Sequence, residues 1–171
     1  MAATSRSSRR PPDREDGGAA VIHILIYYAV ALATCSFAFR HGGMPERAVA
    51  VAFLLAAIGS SMLAFTARPA FRSVDGALLS VDLVLLAGLV AVALFANRFW
   101  PIWISALHLL AIAVHGVRAY DPSLVPWMYA AAISKIAYPM LALLVAGTER
   151  HRRRKSSYGI DPDWSIPSGP H

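Results

Sequence analysis

The sequence holds a single cysteine, Cys35, and few charges: 15% of its 171 residues are Asp, Glu, Lys or Arg, against roughly 25% in ordinary soluble domains. One cysteine excludes an intrachain disulfide and a cysteine-based metal cluster. Scarce charge beside 57% hydrophobic residues leaves too little polar surface for a water-facing globule, and so points to lipid. The chain also lacks a serine-hydrolase elbow, a zincin helix and a phosphate-binding loop, so it is read as non-enzymatic. No internal repeat supports an inverted-repeat transporter. Acids are the scarcer sign, 10 against 16 basic residues, for a formal charge of +6. The cations gather in the N-terminal tail and just behind the last apolar run, where they would meet anionic headgroups. The basic balance is therefore assigned to lipid, not to nucleic acid.

What is there is apolar sequence in lengths of about 20 residues, the span of a bilayer core. Residues 1–19, rich in Ser, Arg, Pro and Asp, read as a disordered polar tail that buries too little to order itself. Five apolar runs follow, at 20–39, 47–67, 74–96, 99–118 and 125–147. Residues 148–171 read as a basic, disordered C-terminal tail. The expected fold is all-α: an integral membrane bundle of five transmembrane helices with short loops. Two export motifs are rejected. Leu32-Ala33-Thr34-Cys35 has Thr34 where a lipoprotein box wants a small residue, and Arg9-Arg10 is followed by Pro11-Pro12, not by an apolar run. Cys35 is read as a buried helix residue.

Helix punctuation marks the junctions. Gly42-Gly43 closes the first run and Pro45 suits a first helical turn. Arg68-Pro69 ends the second, and Ser73 with Asp75 forms a cap and first-turn acid for the third. Asn97-Arg98 is a tight turn into the fourth, and Asp121-Pro122 with Pro126 brackets the fifth. Trp100, Trp103 and Trp127 open the last two helices, as expected of amphipathic rings at headgroup level. In the second run Ala52, Ala56, Ser60 and Ala64 form a small-residue stripe that lets a neighbouring helix, or a second copy or partner subunit, approach closely. Arginine counts on the two sides are nearly equal. The five cations Arg150, Arg152, Arg153, Arg154 and Lys155, close behind a helix end, favour a cytoplasmic C-terminus. The competing arrangement makes the fourth segment re-entrant and keeps both tails on one side.

Ionisable residues within the apolar runs carry the functional expectations. Measured from one membrane surface at 1.5 Å per residue, Asp82 lies about 12 Å deep, and His108 and Lys135 each about 15 Å. Charges at such depth should face one another. Asp75 and Asp82 share a stripe of the third helix, His108 and His115 a stripe of the fourth. With His23 on the first helix, Asp75 and His115 form the outer part of a polar column whose inner end is an Asp82/Lys135 ion pair beside His108. In one reading this is structural, the pair fixing the meeting of the third and fifth helices while His108 donates to a backbone carbonyl. In the other it is a proton or ion pathway, with His108 titrating and Asp82 relaying. A haem held between His23 and His115 is a third arrangement; no cofactor is the leading expectation. Pro139 is expected to kink the fifth helix. His41 and His151, flanked by loop and tail residues, are expected to be solvated. The run Glu149 to Lys155 is read as an anchor for anionic headgroups.

Gly42-Gly43-Met44-Pro45-Glu46-Arg47, Arg98-Phe99-Trp100-Pro101-Ile102-Trp103 and His151-Arg152-Arg153-Arg154 together resemble segments of small uncharacterised multi-pass membrane proteins of alphaproteobacteria. That resemblance covers most of the chain from the first helix onward. It implies a bacterial inner membrane and carries no activity. The functional expectation is thus an accessory or packing component of a membrane assembly, with a small proton-coupled carrier or channel using Asp82, His108 and Lys135 as the alternative.

Overall fold

A computed structural model describes the backbone of residues 14–66, 71–120, 126–159 and 164, and the side chains of 22–63, 76–117, 135–159 and 164. Five helices follow in order: α1 Arg14–His41, α2 Met44–Thr66, α3 Phe71–Phe95, α4 Trp100–Tyr120 and α5 Pro126–Tyr158. Four are long and apolar enough to cross a membrane, over Ile22–His41, Met44–Leu63, Gly76–Phe95 and Trp100–Val117. The chain is thus an all-helical, membrane-type protein. The fourth segment, the one expected to be the least regular, has the length of a span. α5 differs from expectation in extent: it does not stop near 147 but continues through the basic run to Tyr158. α1 likewise starts at Arg14, inside the stretch expected to be tail.

The chain divides into two units, 1–33 and 34–171. In the first, the described side chains belong to α1, and Ile22, Ile24, Leu25 and Leu32 are all exposed. Such a helix, apolar on every side, suits a hydrocarbon surrounding.

In the second unit α2 packs on α3, α3 on α4 and α4 on α5, and α2 closes the ring against α5. Short connections make successive helices antiparallel, so the α1–α2 turn, the α3–α4 turn and the last turns of α5 share one end, here the Gly42 end. The core lies towards that end. It joins Cys35 and Ala38, Val49 and Ala50, Leu89 and Val92, Trp100 and Ile104, and Met140 and Leu144. Cys35 is buried, as expected, with Sγ 3.8 Å from the Ala50 carbonyl. Outward-facing Leu55, Val84, Leu94 and Leu109 are exposed, so the ring is apolar outside as well as inside. Ser105 and Thr148 donate their buried hydroxyls to the carbonyls of Pro101 (2.9 Å) and Leu144 (2.8 Å), which satisfies them without a partner helix.

Two glycines make close approaches possible. A Cβ at Gly42 would fall 2.5 Å from the Ala38 carbonyl oxygen and 2.6 Å from Glu46 Cβ, and one at Gly147 would fall 2.6 Å from the Trp100 ring. Trp100 therefore does not face lipid headgroups: it is buried against α5, while Trp103 is exposed. Of the small-residue stripe, Ala52, Ala56 and Ser60 are half-buried. The α2–α3 approach beside it is made at Gly59, where a Cβ would sit 3.6 Å from Val81. The side chains of Ala64, Asp75 and Trp127, and the punctuation at Arg68-Pro69 and Asp121-Pro122, lie outside the described residues. Pro139 sits inside α5, which runs on past it; its missing N–H leaves the Lys135 carbonyl without the usual helical donor.

Candidate functional site

Two polar clusters lie within the second unit. The first is the expected one, in altered form. Asp82 on α3 faces α4, where His108 and His115, seven residues apart, occupy one stripe. His115 Nε2 stands 3.3 Å from Asp82 Oδ2. His108 Nε2 lies 2.9 Å from the backbone carbonyl of Asp82 and 4.0 Å from its Oδ1. A carbonyl can only accept, so His108 donates its Nε2–H there. This clamps α4 to α3 in mid-span. The His108 side chain is nearly sealed at 7% exposure, whereas Asp82 and His115 keep about a quarter of theirs, 24% and 23%.

The expected Asp82/Lys135 ion pair is not formed. Lys135 is exposed, and the carboxylate turns to the α4 histidines. The physical reason is reach: two rings on the adjacent helix lie near the carboxylate, whereas α5, which carries Lys135, does not pack on α3 among the described residues, and an exposed lysine keeps its charge solvated. The rest of the expected column is His23 and Asp75. His23 is exposed in the first unit, and the Asp75 side chain is outside the described residues. Among the described residues, no group of three His, Cys, Asp or Glu side chains is arranged to hold a metal ion.

The second cluster was not anticipated. At the Gly42 end, Glu46 on α2 and Arg98 in the α3–α4 turn are both buried, 0% and 2% exposed at the side chain, with Arg98 Nε 3.9 Å from Glu46 Oε1. Arg98 Nη2 lies 3.1 Å from His151 Nδ1 on α5. Arginine has only donors, so Nδ1 accepts and the ring proton sits on Nε2. Glu46 Oε2 takes the N–H of Gly43 at 3.0 Å, the backward half of a capping box that fixes the start of α2. His151 is thus buried and bonded, not solvated. One carboxylate, one guanidinium and one imidazole tie α2, the α3–α4 turn and α5 together. A signal for this was present in the sequence: Glu46 stands three residues after Gly43 in the first turn of an apolar helix, the capping-box position, and Arg98 is wedged between two apolar runs where an unpaired charge would be costly.

Outside the apolar segments, Glu149 accepts from Arg153 Nε at 2.8 Å and from Arg152 Nη2 at 3.2 Å. Its carboxyl is held below the usual range, first by the Arg153 hydrogen bond.

No family model, curated protein or solved structure matches the chain.

Proposed function

We propose that this chain is a non-enzymatic accessory or packing component of an assembly in a bacterial inner membrane, spanning it five times with its C-terminus on the cytoplasmic side. The observation that supports this most is how the intramembrane histidine is used. His108, the best-buried ionisable group of the mid-span cluster, gives its Nε2–H to the Asp82 backbone carbonyl. A ring committed to a helix-to-helix clamp does structural work. The exposed apolar faces and the half-buried Ala52–Ala56–Ser60 stripe leave surface for lipid and for a second helix bundle, and the cations from Arg150 to Lys155 meet anionic headgroups.

One observation favours the carrier reading. Asp82 pairs with an imidazole and not with an ammonium, and a proton can move between a carboxylate and an imidazole within the pair with no change of net charge in hydrocarbon. Both groups are partly open to their surroundings. Proteoliposomes separate the two readings. The accessory reading expects no proton flux above protein-free vesicles across the pH range. It also expects a membrane partner to co-purify with the native protein. Flux that disappears in His115→Gln, with the helical content intact, would replace it with the carrier. A purified sample with a Soret band would add the haem that the leading reading leaves out.

A further inference from the structure

A cavity of about 210 Å³ opens at the Gly42 end, lined by Gly42, Gly43, Arg47, His151, Lys155 and Gly159 among others. It is lined mostly by polar atoms. Two of its walls carry permanent cations and none of the lining residues is acidic. The neighbouring carboxylate of Glu46 is turned away into the protein, one oxygen on the Gly43 N–H and the other towards Arg98. Arg47 is oriented by its Nε, which donates to the Gly42 carbonyl at 3.2 Å. This use of Nε leaves the two terminal nitrogens of the guanidinium as a fork. Lys155 stands one turn beyond His151 on α5, exposed, and α5 ends beside the cavity in a left-handed Gly159 (φ 73°) whose N–H returns to the Lys155 carbonyl at 3.0 Å. Arg47 and Lys155 are donors only, and the tautomer imposed by Arg98 leaves His151 Nε2 a donor as well.

A concave site with a guanidinium, an ammonium and no acidic lining residue suits a tetrahedral oxyanion. Its level in the fold narrows the ligand. The cavity lies where α1 ends, α2 begins and α5 leaves its apolar stretch, which in a bilayer is the layer of lipid phosphates. We propose that this cavity binds a single phosphate group, supplied by an anionic lipid headgroup or by free phosphate. The proposal goes beyond the accessory role and stands on different residues from the mid-span cluster.

Full-length protein in detergent, titrated with phosphatidylglycerol, with phosphatidylcholine as the uncharged control and inorganic phosphate as the soluble probe, tests it by native mass spectrometry. Arg47→Gln/Lys155→Gln is expected to weaken phosphatidylglycerol binding roughly a hundredfold, as for two lost charge-assisted contacts. Arg40→Gln removes one charge from the same end, outside both the cavity and the basic run of α5, and its effect should stay within about threefold. Lys155→Gln alone, at an exposed position, should cost about tenfold and serves where the double variant folds poorly. Phosphate that displaces the lipid identifies the free anion as a ligand, and saturable binding of the lipid alone identifies the headgroup. Equal losses in Arg40→Gln and Lys155→Gln, or no saturable binding of either probe, would overturn the proposal.

Discussion

The two polar clusters use similar side chains to opposite ends. At the Gly42 end, Glu46 and Arg98 are fully enclosed and one partner is an arginine, which keeps its charge at any relevant pH. In mid-span, Asp82 meets only histidines, and a quarter of the Asp82 and His115 side chains stays open. The first cluster holds a fixed charge pattern that gives a unique junction between three elements. The second joins a carboxylate to imidazoles, which carry no permanent charge. Burial alone therefore does not tell a structural ion pair from an adaptable one; the presence of a group that always carries charge does.

The sharpest way to break this contrast is at the sealed cluster. Arg98→Met should destabilise the protein by about 3–5 kcal/mol because it strands Glu46 in the interior, while Glu46→Leu/Arg98→Met together should recover much of the loss. Thermal unfolding in detergent reads both, and a double variant no better than the single one would show the pair to be dispensable. Gly147→Ala comes next, since Trp100 must move from α5 to admit a methyl; a loss of about 1–3 kcal/mol is expected. In mid-span, His108→Phe removes the donor to the Asp82 carbonyl at similar volume and should cost about 1 kcal/mol, less than either. Lys135→Met should change stability by no more than about 0.5 kcal/mol, as at other exposed positions. A larger effect there would restore the Asp82/Lys135 pair. The smallest effect belongs to Glu149. Its lowered carboxyl favours the folded end of α5 above the ordinary carboxylate range, and that support is lost as pH falls through the lowered value. Protection against amide exchange in residues 149–158, taken against the intrinsic rate at each pH, should fall at acid pH in the native chain, and Glu149→Gln should remove that fall.

The five helices, their order and the turn chemistry of the α1–α2 junction were legible, because each rests on local signals: run length, paired glycines, and a proline in a first turn. The depth argument also brought Asp82 and His108 together, and the expectation that His108 would donate to a backbone carbonyl matches its contact with Asp82. It failed for Lys135, since equal depth on two helices says nothing about which helices are neighbours, and α3 packs on α4 and α2 rather than on α5. His151 and Trp100 were misplaced for a related reason. Flanking polarity suggested exposure for the first, and a helix-end position suggested headgroups for the second. Both instead fill the inside of the Gly42 end, where tertiary packing decides.

The continuation of α5 to Tyr158 gives the basic C-terminal segment a rotational phase. A helix of 33 residues is about 50 Å long, well beyond the roughly 30 Å of a hydrocarbon core, so its last turns carry the basic run on the same rod as its apolar stretch. His151 and Lys155, four residues apart, share one side of that rod, while Glu149 with Arg152 and Arg153 occupies another. One residue inserted between Leu144 and Thr148 would turn everything after it by about 100°. The composition of the tail would be untouched, yet His151 would leave Arg98 and Lys155 would leave the cavity.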